Sequence, residues 1–281
     1  MSILMRFYRS CVTGMMALLL PVLSCAQTYS VAVVPQFPAV EIHRAWTPLL
    51  AHLSAQTGLD LKLVTAGSIP EFERSFQAGQ PDLVFLNPYH MVMAAKSQKY
   101  QPLVRESKEL LTGILVVRAD SPVNSLAELA QQTLAYPAPN AFGASLYMRS
   151  LLAEQKIQTQ ANFVKTHSNA YRHVIAGQAV AAGGIRSTLE REPAEVRSQL
   201  RVLFETPAVA PHPLAAHPRV LESHRLALRD AWPSLAQSEA GQNLLKAVQM
   251  SHPMAADYKR DYAPLERLRL EQFAVTEGGT P

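Results

Sequence analysis

Short apolar strands alternate with amphipathic helices along this sequence, and the alternation predicts an α/β protein with a largely parallel sheet flanked by helices. Three observations carry that prediction. Brief apolar runs are separated by helical stretches with leucine or phenylalanine stripes. Helix starts bear cap signatures, and several helix ends bear glycine. The segments following strands are rich in hydrogen-bonding groups and poor in carboxylates.

Taken in order, residues 30–34 form the first expected strand. Thr47 can cap the next helix with Pro48 at its first position, and Leu49, Leu50 and Leu53 form its buried stripe before Gly58 stops it. Residues 59–64 alternate, which puts Leu59, Leu61 and Leu63 on one strand face. Ser68 and Glu71 fit a capping box, and Phe72 and Phe76 share a face of the helix that runs to Gly79. Residues 82–86 read as a short strand with Asn87-Pro88-Tyr89-His90 at its carboxyl end, and residues 111–117 as another buried strand. Ser125 and Glu128 make a second capping box. Residues 133–136 form a strand that turns through Ala-Pro-Asn-Ala-Phe-Gly-Ala-Ser (138–145) into a helix reaching about Lys156. A strand over 162–165 leads to His167-Ser168-Asn169.

The N-terminus reads as an export signal. Arg6 and Arg9 precede an apolar core at 12–20, Pro21 ends it, and Ser24-Cys25-Ala26 supplies small residues at a cleavage site. The core is too short for a transmembrane helix, which needs ~20 apolar residues. Cleavage after Ala26 leaves no cysteine, since Cys11 also lies in the signal. Used instead as a lipobox, Val22-Leu23-Ser24-Cys25 would make Cys25 a lipid anchor. Either way the folded body has no intramolecular disulfide, thiolate metal site or cysteine nucleophile. Loss of Arg6 and Arg9 lowers the formal charge from +4 to +2. The remaining basic residues are scattered, so no nucleic-acid partner is expected. The mature length suits one large domain or two lobes, and the tail 276–281 reads as frayed.

In open α/β sheets ligands collect beyond the carboxyl ends of strands. The segments 35–38, 87–90, 137–143 and 167–169 lie at such ends. A tight strand-to-helix turn aims free N–H groups and the positive end of a helix dipole at one spot, which suits an oxyanion. Gly143 allows close backbone approach. The same turn is an ordinary connection in any βα unit, with Asn140 as its N-cap. His212, His217 and His224 match no zinc spacing and read as a return loop. Arg186 reads as a surface cation or an oxyanion clamp. His167 can donate a hydrogen bond when neutral and adds charge when protonated.

At these residues the chain resembles the periplasmic solute-binding proteins of the phosphonate/phosphite/phosphate (PhnD-type) family. The matching pieces are Trp46-Thr-Pro-Leu-Leu with Thr57-Gly58; Gly79-Gln-Pro-Asp82-Leu-Val with Asn87-Pro88-Tyr89; Val116-Val-Arg-Ala-Asp120-Ser-Pro122 with Ser125-Leu-Ala-Glu-Leu129; the loop 139–145; and His167-Ser-Asn-Ala with Val174-Ile-Ala-Gly177. The resemblance implies a two-lobed α/β fold of the periplasmic-binding-protein type II class with a two-stranded hinge. Residues 1–26 would be the signal, 27–115 plus 206–281 lobe one, and 116–205 lobe two. The stretches 116–121 and 204–207 would be the crossings. It implies a small anionic ligand bound by Gln36, Asn87, Tyr89, Asn140, Phe142, Gly143, Ala144, Ser145, His167, Ser168 and Asn169, with no cofactor, metal or catalytic residue.

This chain departs from the family's Ser-Thr-Ser-Gly helix start, with Asn140-Ala141-Phe142-Gly143 in its place, and Gly177-Gln-Ala-Val180-Ala181 lacks the expected acid. An aminoalkyl phosphonate should therefore bind poorly, while a smaller or differently shaped oxyanion remains suitable. The expected role is delivery to an ABC permease by an exported, periplasmic monomer. The alternatives are a sensor docking on a histidine-kinase ectodomain, which the runs 139–145 and 211–219 resemble more, and an enzyme on the same fold. No nucleophile–base pair supports catalysis.

Overall fold

The computed structural model describes residues 27–275. The export signal, Cys25 and the tail 276–281 lie outside the described residues. β1 (Thr28–Val33) starts the first sheet. α1 (Ala39–Thr57) follows and ends at Gly58 in the left-handed region, φ 72°. The helix thus begins ahead of Thr47, and Pro48 lies inside it. Ile42, Trp46, Leu49, Leu50 and Leu53 form one continuous buried stripe. Burial of that stripe outweighs the bond lost where proline has no N–H to donate.

β2 (Asp60–Thr65) buries Leu61, and Leu59 is buried just ahead of it. α2 (Ile69–Gln77) is capped by Ser68, whose hydroxyl accepts from Glu71 N. The Glu71 carboxylate reaches one residue further back than the box requires, to Gly67 N at 2.8 Å. β3 (Leu83–Phe85) runs straight into α3 (Pro88–Gln98), so residues 88–90 are helix rather than loop. Asn87 is its N-cap and Pro88 opens it, a pairing that suits both residues. β4 (Gln101–Glu106) completes this portion.

The chain then crosses to a second sheet with β5 (Gly113–Arg118) and β6 (Thr133–Tyr136). Between them Ser125 donates to Glu128, and a single 3-10 turn, Ala127–Leu129, forms instead of a capped α-helix. A π-helical turn (Phe142–Leu146) leads into α4 (Tyr147–Glu154). β7 (Gln160–Phe163), α5 (His167–Ile175), β8 (Ala181–Ile185), α6 (Arg186–Glu190), α7 (Ala194–Arg197) and β9 (Leu200–Glu205) follow. The chain returns through β10 (Pro213–Ala216), α8 (Glu222–Leu235), α9 (Glu239–Ala247), β11 (Pro253–Ala255) and α10 (Tyr258–Asp261).

Strand order is β11-β4-β10-β3-β1-β2 in one sheet and β7-β6-β8-β5-β9 in the other. Both sheets are mixed rather than largely parallel. β1 pairs in parallel with β2 and β3, and β6 with β7 and β8, whereas β5, β9, β10 and β11 run antiparallel to their neighbours. The architecture is two-lobed, with two crossings.

The crossings are residues 107–112 and 206–212. They form a two-stranded bridge, with Leu111 N donating to Val209 O at 2.9 Å and Val209 N to Leu111 O at 3.0 Å. The 115/116 boundary read from the sequence falls inside β5, and residues 116–121 span the end of β5 and the turn beyond it. The largest apolar cluster joins β1, α1 and β3 to Phe142, Ala144, Tyr147 and Ile185 from the other lobe, so the lobes are packed shut.

Candidate functional site

The closed lobes enclose a cavity of about 20 Å³ lined by Val34, Gln36, Ile69, Asn87, Leu111, Ala141, Phe142, Gly143, Ala144, His167, Ile185 and His212. A wider groove of about 380 Å³ opens beside it and shares Leu111, Ile185 and His212 with the cavity. Several helices start at the cavity wall. Ile69 opens α2, Asn87 caps α3, Ala141 precedes the π-helical turn, His167 opens α5, and Ile185 caps α6. Helix starts carry unpaired N–H groups and partial positive charge. In the π-helical turn, Ser145 N and Leu146 N both donate to Ala141 O, at 2.8 and 3.1 Å. The N–H groups of Phe142, Gly143 and Ala144 have no acceptor among the described residues. No Asp, Glu, Lys or Arg lines the cavity.

Of the residues singled out in the sequence, Gln36, Asn87, Phe142, Gly143, Ala144 and His167 meet at the cavity. The side chains of the other five are engaged elsewhere. Tyr89 is buried away from the cavity, and burial with the Glu271 and Glu73 carboxylates pushes its hydroxyl up to about 12. Asn140 is not the cap of the turn. Its amide donates to Glu73 Oε2 at 3.0 Å and to Val275 O at 3.0 Å, and accepts from Val275 N at 2.9 Å. Ser145 is fully buried and accepts from Arg149 Nε at 3.2 Å. Ser168 donates to Glu192, and Asn169 donates to Val164 O at 2.8 Å.

Gly143 also differs from expectation. A Cβ there would meet Leu111 at 2.8 Å and Ile185 at 3.1 Å, so the missing side chain lets the turn seat against the hinge. Arg186 pairs with Glu205 and lines the groove.

Sequence reasoning missed His212. It lies on the second crossing and stacks on Phe85, with ring centroids 5.6 Å apart. Its flanking prolines mark a return loop, and no periodic signal sets it apart. Burial pushes both cavity imidazoles down, His167 to about 4 and His212 to about 3, the latter helped by repulsion from His90 and His167. Both are therefore neutral at neutral pH. Across the cleft mouth, the Arg191 guanidinium sits 4.2 Å over the Phe37 ring and 3.8 Å from Glu41. Among the described residues no cluster of His, Cys, Asp and Glu could hold a metal, and no helix is long and apolar enough to cross a membrane.

A family model described as "ABC transporter, phosphonate, periplasmic substrate-binding protein" matches residues 31–262. The chain belongs to this family. The family consists of periplasmic substrate-binding proteins rather than catalysts. Solved structures share the fold at low identity. The binding-protein component of an ABC phosphonate transporter from Pseudomonas aeruginosa is 17% identical, with TM-score 0.76 over 89% of this chain and 88% of that one. PhnD1 from Prochlorococcus marinus, in complex with methylphosphonate, is 15% identical, with TM-score 0.79 over 89% and 99%. XAC2383 from Xanthomonas citri, bound to ATP, is 15% identical, with TM-score 0.70 over 88% and 96%. No curated sequence matches the chain. In this phosphonate-binding family member, the cavity lies between the lobes where the loops from both sheets meet.

Proposed function

We propose that this protein captures a small phosphorus oxyanion, phosphonate-, phosphite- or phosphate-like, in its interlobe cavity and delivers it to an ABC importer from the periplasm. One observation carries the reading: the acceptor-free N–H groups of Phe142, Gly143 and Ala144 lie at a helix start in a cavity without carboxylates. Such an array stabilises negative charge without a counter-cation. Gln36, Asn87, His167 and His212 complete the polar lining. The bending region is the paired crossings 107–112 and 206–212, and the two sheets with their helices move as lobes about it. The family supports the importer role, and no observation favours a kinase-docking sensor. Export rests on the N-terminal signal, with release after Ala26 as the processing we favour over an anchor at Cys25.

Calorimetric titration of the mature protein with methylphosphonate, phosphite and phosphate tests the reading. A ligand at a hundred times its Kd adds ~2.7 kcal/mol to the folded state and raises the midpoint by roughly 5–10 °C at this chain length. Small-angle scattering of the complex with the same compound should match the closed lobes described above. Failure of all three to bind would sink the proposal.

A further inference from the structure

On the oxyanion reading, a bound ligand brings negative charge to a cavity that no cation lines. A cation stands behind the wall. Arg149 lies in the first turn of α4, four residues after Ser145. Its Nε donates to Ser145 Oγ at 3.2 Å, and its Nη2 donates to Pro139 O at 2.8 Å and to Phe273 O at 2.7 Å. Pro139 and Ser145 flank the three N–H groups of Phe142, Gly143 and Ala144 in sequence. The guanidinium thus holds the turn from both sides without entering the cavity.

That placement is unfavourable by itself. Arg149 is half-buried, its acceptors are all neutral, and no carboxylate pairs with it among the described residues. It also sits at the positive end of a helix dipole, where a cation is disfavoured. Burial lowers its pKa, yet a guanidinium keeps its proton throughout the ordinary pH range. Charges taken out of water are normally paired. Arg105, also held inside the fold, meets that rule with Asp261 at 2.9 Å. Resting on the oxyanion reading, we propose that Arg149 is the counter-charge of the bound ligand, acting through the turn rather than by contact, and that it makes the cavity favour the doubly charged form of a phosphorus oxyanion.

The neighbouring elements leave that charge uncancelled. Tyr136 on β6 faces it, and burial pushes that hydroxyl far above its ordinary value, so it stays neutral. On β7 the guanidinium meets only the Phe163 ring, 5.7 Å from its centroid. Glu154 at the end of α4 and Glu271 before Phe273 are exposed to solvent and do not pair with it. On the facing lobe Glu73 is engaged by His90 at 2.8 Å and by Asn140 at 3.0 Å. Burial holds the cavity imidazoles of His167 and His212 neutral. A fixed charge acts in proportion to the charge it meets, so its effect on a dianion is twice that on a monoanion. Merely holding the turn in place would serve both forms alike.

The test is calorimetric titration of the mature protein with methylphosphonate on either side of its second dissociation, which for phosphoryl groups lies near ~6. In the wild type the association constant should rise about tenfold across it. In Arg149→Met the monoanion should lose about tenfold and the dianion about a hundredfold, so that the rise disappears. Arg149→Lys keeps the charge and loses the grip on the turn, so it should weaken both forms by a similar factor and keep the rise. Equal losses for the two forms in Arg149→Met would make Arg149 a structural clamp alone and overturn the proposal, as would a lysine variant without the rise. If Arg149→Met does not fold, the wild-type profile decides: an association constant that stays level or falls across the dissociation overturns the counter-charge. Those outcomes leave the oxyanion reading standing, whereas absence of binding by methylphosphonate, phosphite and phosphate at every pH removes both.

Discussion

The cavity and the seam beside it handle polar groups in opposite ways. In the cavity, three backbone N–H groups and His167 Nε2 have no partner among the described residues. In the seam, buried Glu73 accepts from His90 and Asn140, Asn140 pairs with both backbone groups of Val275, and Arg149 donates to Pro139 O and Phe273 O at 2.8 and 2.7 Å. His90 Nδ1 is the exception there, buried without a partner among the described residues. Glu73, Phe273 and Val275 belong to one lobe, and Asn140 and Arg149 to the other. Matched groups fasten the closed lobes, and unmatched groups line the cavity. A buried polar group left unmatched costs free energy, so an array of them lining a cavity is better evidence of a binding site than polarity alone.

The largest expected effect tests the neutrality of the cavity. His167 has a folded-state pKa lowered by burial to about 4, against an ordinary value of 6.5. Between those values the unfolded chain takes up a proton that the folded chain refuses. Its contribution to stability is thus fully present above 6.5 and is lost as pH falls through about 4. The loss amounts to about 3 kcal/mol at most, and His212 acts in the same direction. Urea unfolding of the ligand-free protein at neutral and mildly acid pH measures it. His167→Ala should show a flatter acid limb than wild type, and an unchanged limb would mean that His167 is not held neutral.

Gly143→Val comes next. Its Cβ would fall 2.8 Å from Leu111 and 3.1 Å from Ile185, both of them cavity walls at the hinge. Overpacking of this kind costs about 1–3 kcal/mol. Ile185 shares a lobe with Gly143 and Leu111 lies on the first crossing, so the clash pushes the turn off the hinge and displaces the N–H groups that line the cavity. Affinity for the bound oxyanion should drop about tenfold to a hundredfold. A lower melting midpoint with unchanged affinity would instead mean that the turn keeps its place at the cavity despite the strain.

The sequence makes some of this legible and hides the rest for identifiable reasons. The strand at Thr133–Tyr136 and the Ser68 cap obey local rules, since cap and strand chemistry depend on neighbours in the chain. The start of α1 was hidden because Pro48 imitates a first-turn proline while tertiary burial carries the helix past it. β4, β10 and β11 contain Pro102, Pro213 and Pro253, residues that argue against a strand until a neighbour shows where the missing donor falls. The fates of Asn140 and Ser168 depend on partners far away in sequence, Glu73 and Val275 for the one and Glu192 for the other. The same is true of His212, which gains meaning only when the return crossing meets the cavity.

Asn140→Ala probes the seam and should have a smaller effect than Gly143→Val. The substitution leaves Glu73 Oε2 without its partner and frees Val275. A cost of about 1–2 kcal/mol is expected, shared between closure and overall stability. Ligand dissociation should quicken several-fold through a larger open population. Complete loss of binding in a protein that still closes would show that Asn140 touches the ligand, contrary to its bonding here.

Ser168→Ala should change least, and for that reason it separates the two kinds of group most cleanly. Ser168 sits one residue after His167 at the start of α5, where sequence logic makes it a ligand contact. Its hydroxyl is spent on Glu192, and Ser168 does not line the cavity. Glu192 keeps Arg172 at 3.5 Å after the substitution, so its charge is not stranded. Removing the hydroxyl should cost about 1 kcal/mol of stability and leave ligand affinity within about twofold. Calorimetry on the folded variant measures this directly. A tenfold weaker Kd would mean that the hydroxyl turns from Glu192 to the ligand on binding, and the boundary between seam and cavity would then have to be redrawn to include the first turn of α5.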